Sequence, residues 1–134
     1  MTDKVVDASA VVALLFNELT QEKIVARLRG ASLHAPDLLE YEVANACLKK
    51  VRASPDERQM LLQAFSLLDA LSIALERVNL PEAIALAEKM RLSLYDASYL
   101  WLARAIGVEL VTLDGKLARA DKALRRASKQ GKRA

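Results

Sequence analysis

Residues 4–16 read KVVDASAVVALLF. Lys4-Val5-Val6 is a short strand signal, because β-branched side chains pack well on a pleated surface. Asp7 to Phe16 then reads as a helix. A strand that passes directly into a helix through a single acidic residue is the opening unit of an α/β fold. The small-or-apolar stretch from Ala8 to Phe16 has nine residues, Ser9 among them, well short of the roughly 18 to 20 that span a bilayer. A signal peptide is not expected either, since Asp3 and Asp7 precede the stretch and no small-residue cleavage site follows it before Asn17-Glu18.

The same alternation continues along the chain. Thr20 is placed to cap a second helix that ends at Gly30, a residue suited to the left-handed position after a helix. Ser32 to Ala35 reads as a second strand, and Pro36-Asp37 opens a helix to about Arg52 with Leu39, Val43, Ala46, Cys47 and Lys50 on one face. Ser54-Pro55-Asp56-Glu57 has the form of a capping box and starts a helix that runs to about Leu71. A strand near Ile73 to Val78, helices over Pro81 to Arg91 and Tyr95 to Ile106, a strand from Val108 to Leu113 and a final basic helix complete the reading. Every strand-to-strand connection holds a helix, so the strands are expected to be parallel. The expected fold is α/β, with a small parallel sheet of four to five strands flanked by helices.

The length of 134 residues and an apolar content of 53% suit one domain with a proper core. Cys47 is the one cysteine, which excludes an internal disulfide framework and fits a reducing cytoplasm. Net charge is +3, but residues 116–134 carry eight Lys/Arg against one Asp, while residues 1–115 hold 12 basic and 16 acidic groups. Positive charge is therefore concentrated in a C-terminal tail from about residue 116, either a solvated terminus or an arm that attracts nucleic acid.

In an open parallel sheet, ligands bind beyond the carboxyl ends of the strands, where strand order reverses. Asp7 follows the first strand, Asp114 follows the last clear one, and Asp96 starts a helix. Glu42 lies one turn into its helix with no basic residue at i±3 or i±4. Each of the three aspartates also suits an ordinary helix cap. As a set, clustered acids destabilise a fold unless a cation neutralises them, and hard oxygen donors select Mg²⁺ or Mn²⁺. Zinc lacks a Cys/His pattern, no Gly-rich phosphate loop is present, and His34, Cys47, Tyr99 and Trp101 read as structural residues.

Four short motifs make the pattern specific: Val5-Val6-Asp7-Ala8-Ser9, Tyr41-Glu42-Val43-Ala44-Asn45-Ala46, Leu94-Tyr95-Asp96-Ala97-Ser98-Tyr99-Leu100 and Leu110-Val111-Thr112-Leu113-Asp114. In this order and spacing the chain resembles the PIN-domain family, most closely its VapC-type toxin ribonucleases, over nearly its whole length. The resemblance implies a single three-layer α/β/α PIN domain over residues 1–134 and carries the family's acidic residues onto Asp7, Glu42, Asp96 and Asp114. Ser9 and Thr112 match accessory hydroxyl positions, and Asn45 an amide beside the glutamate. It further implies a Mg²⁺- or Mn²⁺-dependent endoribonuclease, usually a homodimer, held inactive by a VapB-like antitoxin.

The mechanism expected on this basis is metal-assisted hydrolysis of an RNA phosphodiester. Lys116 and Arg119 are the expected RNA contacts, since an acidic site cannot attract RNA unaided. A haloacid-dehalogenase-like phosphohydrolase would need a second Asp where Ser9 stands. A non-catalytic PIN-like module that binds RNA or protein is the remaining alternative.

Overall fold

The computed structural model describes the backbone of residues 2–133 and the side chains of residues 2–130. Among these residues lie four strands, β1 (Thr2–Val6), β2 (Ala31–Pro36), β3 (Ala74–Glu76) and β4 (Glu109–Val111). Seven α-helices surround them: α1 (Ala8–Leu15), α2 (Gln21–Leu28), α3 (Leu39–Ala53), α4 (Arg58–Ser66), α5 (Leu80–Met90), α6 (Leu94–Ile106) and α7 (Gly115–Arg133). The sheet order is β3-β2-β1-β4 and every pairing is parallel, with Val5 opposite Leu110 and Val6 opposite Val111. The expected α/β architecture is present, with four strands. Because β2 and β3 add on one side of β1 and β4 on the other, the switch point falls between the ends of β1 and β4.

The core explains the order of the elements. Val5 and Val6 of β1 and Val111 of β4 are fully buried, and α6 packs across β1, β2 and β4 with Ala97, Ser98, Tyr99, Leu100, Leu102 and Ala103 buried. A helix buried over so much of its surface has to lie against the sheet rather than on the rim. Gly107 ends α6 at φ +71°, a conformation that costs glycine nothing and a branched residue a good deal.

Several local expectations give way to backbone geometry. The Ser54-Pro55-Asp56-Glu57 segment closes on itself through the Glu57 N–H and the Ser54 carbonyl at 2.9 Å, and the Ser54 hydroxyl caps nothing. The expected helix from there to Leu71 is split into a 3₁₀ turn over Pro55–Glu57, α4, and a second 3₁₀ turn over Leu67–Leu71. Thr20 likewise makes no side-chain cap, and α2 stops at Leu28, two residues before the left-handed Gly30. β4 stops at Val111 because the next backbone N–H groups turn to side chains: Leu113 N–H to Ser9 Oγ at 2.9 Å and Asp114 N–H to Thr112 Oγ1 at 3.0 Å.

As an edge strand, β4 presents an outward amide that no further strand covers. Asp121 of α7 supplies the acceptor, its Oδ2 taking the Leu110 N–H at 3.1 Å. Its charge is met by Arg125 Nε at 3.0 Å and Arg104 Nη2 at 3.3 Å. Asp121 therefore fastens the basic helix to the sheet. Elsewhere, Cys47 is buried on α3, and the His34 ring bridges strands, with Nε2 at 2.9 Å from Asp3 and Nδ1 at 3.0 Å from Glu76. Both are structural residues, as expected.

Candidate active site

Asp7 is the hub of the switch point. It is only 5% exposed and serves as the N-cap of α1, its Oδ1 accepting the Ala10 N–H at 3.1 Å. Ser9 Oγ donates to the same oxygen at 2.7 Å, and Thr112 Oγ1 donates to Oδ2 at 2.5 Å. A carboxylate offers about four acceptor positions, so these three bonds orient Asp7 while leaving one on Oδ2. Among the described residues no Lys, Arg or His side chain hydrogen-bonds to it. Burial accordingly pushes its carboxyl above the ordinary range, against the lowering effect of Ser9, Thr112 and Ala10, and the charge of Asp96 adds to the rise.

The other acids gather from three helices. Glu42, half-buried on α3, accepts the Tyr99 hydroxyl from α6 at 2.6 Å. Burial raises its carboxyl, the Tyr99 bond lowers it, and the charges of Asp96 and Asp7 raise it further. Asp96 does not cap α6, because Ser93 Oγ already accepts its N–H at 3.1 Å. Its carboxyl is raised by burial first and then by Asp114, with Lys116 and Ser93 pulling the other way. Asp114 caps α7 by accepting the Leu117 N–H on Oδ1 at 2.9 Å. Two of the three aspartates thus do cap helices, and the capping sets their place at the strand ends.

A cleft of about 490 Å³ adjoins this web and shares Ser9 and Glu42 with it; Asn45, Lys49 and Glu18 also line it. Lys116 is tied back by its Nζ to the Arg91 carbonyl at 2.5 Å, close enough to Asp96 to favour its charged form. Arg119 folds toward the same corner, since a Cβ added at Gly115 would stand 3.1 Å from Arg119 Nη1. All nine residues singled out in the sequence therefore lie in or beside one region. Three participants were not foreseen there. Tyr99 was read as a structural residue, and Lys49 and Glu18 carry no local motif. A tyrosine three residues after Asp96 on the buried side of its helix was the available signal for the first.

The donor set suits a hard divalent cation in chemistry: all-oxygen, mutually repelling, with the most buried member lacking any positive partner. As the side chains stand, no group of three or more His, Cys, Asp or Glu among the described residues is arranged to hold a metal ion. The acids are near enough to feel one another's charge.

Known proteins share both sequence and fold. The PIN domain family matches residues 4–123. Ribonuclease VapC3 of Pyrobaculum aerophilum is 39% identical over 119 residues, covering 85% of this chain and 91% of that relative. Ribonuclease VapC12 of Mycobacterium tuberculosis is 33% identical over 119 residues, covering 85% and 88%. Among solved structures, PAE2754 from P. aerophilum superposes with a TM-score of 0.71 at 29% identity, over 87% of this chain and 82% of that one. M. tuberculosis VapC20, described as a sarcin-ricin loop cleaving toxin, gives 0.63 at 16% identity over 87% and 94%, a likeness of fold. With a family match over most of its length and relatives above 30% identity across nearly all of theirs, the chain belongs to the PIN-domain family, in its VapC-type branch.

Proposed function

We propose that the protein is a Mg²⁺- or Mn²⁺-dependent endoribonuclease, the toxin of a VapBC-type pair, acting in the cytoplasm through one PIN domain over residues 1–134. The observation that carries this reading is Asp7: a buried carboxylate without a cationic partner, held by two hydroxyls at the switch point and repelled by further acids. Such an arrangement is costly unless a cation joins it. The ribonuclease names of the relatives agree with it.

Asp7, through its remaining Oδ2 position, with Asp96, Asp114 and Glu42 would hold the metal. When bound, Mg²⁺ or Mn²⁺ lowers the pKa of a coordinated water and offsets charge on the phosphate under attack. The protein's own groups do the positioning. Ser9 and Thr112 fix the Asp7 carboxylate from both sides, and the Tyr99 hydroxyl sets the direction of Glu42, which can then orient the attacking water. Asn45 stands in the cleft beside Glu42. Lys116 and Arg119 would meet the RNA backbone at the corner.

A cognate VapB-like antitoxin and a homodimer complete the proposal. Leu80, Leu94 and Tyr95, all exposed around one pocket, supply apolar area for self-association, which sedimentation would detect. A non-catalytic RNA- or protein-binding module is the second reading, favoured by the absence among the described residues of three acids already arranged around a metal. Cleavage of a mixed RNA pool with Mn²⁺, with EDTA, and by Asp96→Asn separates the two. The nuclease loses cleavage in both controls; the binding module never cleaves and binds RNA equally well in EDTA.

A further inference from the structure

α7 leaves the acidic corner at Gly115 and carries most of the protein's excess positive charge away from it. Leu117, Ala120 and Asp121 are buried against the rest of the molecule. Arg119, Lys122, Arg126 and Lys129 are exposed and recur at steps of three and four, which puts them in one row on the opposite, solvent-facing side. From Arg119 to Lys129 the row is about 15 Å long at 1.5 Å per residue. No acid interrupts it: Asp121, the one acid of the helix, is 1% exposed and faces Arg104 and Arg125. Among the described residues none of the four cations is in an ion pair. The row's first member, Arg119, folds back against Gly115, the residue after Asp114, so the row begins beside the acidic site.

We infer that this row is a rail for the sugar-phosphate backbone of single-stranded RNA, with Lys122, Arg126 and Lys129 holding the strand as it leaves the acidic site. The inference rests on the ribonuclease reading for the site where the rail begins. Residues 1–115 carry a net negative charge, so a polyanion finds its attraction on α7 rather than over the body. A membrane surface fits less well, because the apolar side of α7 is already spent on β4 and α6 and has nothing to insert among lipid chains. Base identity plays no part in such a contact, which serves to position and retain the strand.

The test is fluorescence anisotropy of the full chain with a labelled RNA of about 12 nucleotides, in EDTA, between about 50 and 200 mM salt. Each phosphate contact on a single strand contributes about −0.7 to the slope of log K against log salt. The variant Lys122→Gln/Arg126→Gln/Lys129→Gln should flatten that slope by about 2. Matching circular dichroism spectra exclude unfolding, and Lys122→Glu alone should flatten the slope as well. An unchanged slope overturns the rail. So does binding of a poly-glutamate peptide or of phosphatidylserine vesicles that depends on the three cations when RNA binding does not. Cleavage with Mn²⁺ measured in parallel keeps the two readings apart: a flattened slope without wild-type cleavage leaves the rail and removes the nuclease, and cleavage with an unchanged slope does the reverse.

Discussion

Asp7 and Asp121 are both buried, at 5% and 1% exposure, and both accept a backbone amide, yet they sit in opposite electrostatic surroundings. Asp121 has two guanidinium groups within 3.3 Å and ties a helix to an edge strand. Asp7 has two hydroxyls and an amide, with Asp96 and Glu42 close enough for mutual repulsion. Burial of a carboxylate is therefore not one phenomenon. Where the cations are built in, the charge serves the fold; where they are withheld, the fold bears a cost that an external cation can relieve.

Exchanging each carboxylate for its amide breaks the comparison most directly. Asp7→Asn should keep the fold, with a melting temperature equal to or above that of the parent, while metal-dependent RNA cleavage falls by more than the about 100-fold that loss of a supporting group costs a metal site. Asp121→Asn should do the opposite. It leaves two arginines facing a neutral amide, an expected loss of about 3 kcal/mol and about 10 °C in melting temperature at low salt. A protein in which Asp7→Asn unfolds and Asp121→Asn does not would reverse the two assignments.

Thr112→Val sharpens the comparison within the site. It removes the bond that fixes Asp7 Oδ2 and leaves the shape of the residue nearly unchanged. Metal-dependent turnover should fall about 10- to 100-fold, with a higher metal concentration needed for half-maximal rate.

The smallest effect is expected in a third setting, at Asp3 and Glu76, where the cation between two carboxylates comes and goes with pH. His34 lies between Asp3 and Glu76; the Asp3 bond, with help from Glu76 and against the lowering effect of burial, holds its pKa above the ordinary 6.5. A raised folded-state pKa means that the clasp contributes fully below pH 6.5 and loses its contribution as pH climbs through the folded value. His34→Gln should therefore lower the melting temperature at acidic pH, by about 2 °C given the exposure of both carboxylates, and leave it unchanged at high pH.

Residues 4–16 made the α/β opening legible because strand, acid and helix occur there without interruption. The parallel sheet followed from helices in every connection. What misled was local capping chemistry. Ser54 and Thr20 have the right residue type, but neighbouring backbone bonds close those turns first. Ser93 and Asn79, which fall between the expected elements, are the side chains that do cap α6 and α5. In the site, the acids were visible through their position after strands, whereas the Tyr99–Glu42 bond joins residues 57 apart and has no local signature. Asp121 was counted as one charge in a basic tail; its place on the buried side of α7 is a property of packing.

The bond between Thr112 and Asp7 spans 105 residues, and the one between Leu113 and Ser9 spans 104. A ribosome makes the chain in one direction at about 5–20 residues per second, so about 5–20 s separate the first partner from the second. Asp7 emerges early and waits. Until Thr112 is in place, Asp7 is held through Oδ1 alone, by Ser9 and the Ala10 amide, and Oδ2 lacks its partner. On the proposed function, the bond that fixes the last oxygen of Asp7 is thus among the last the chain can make, so the site takes its final form only near the end of synthesis.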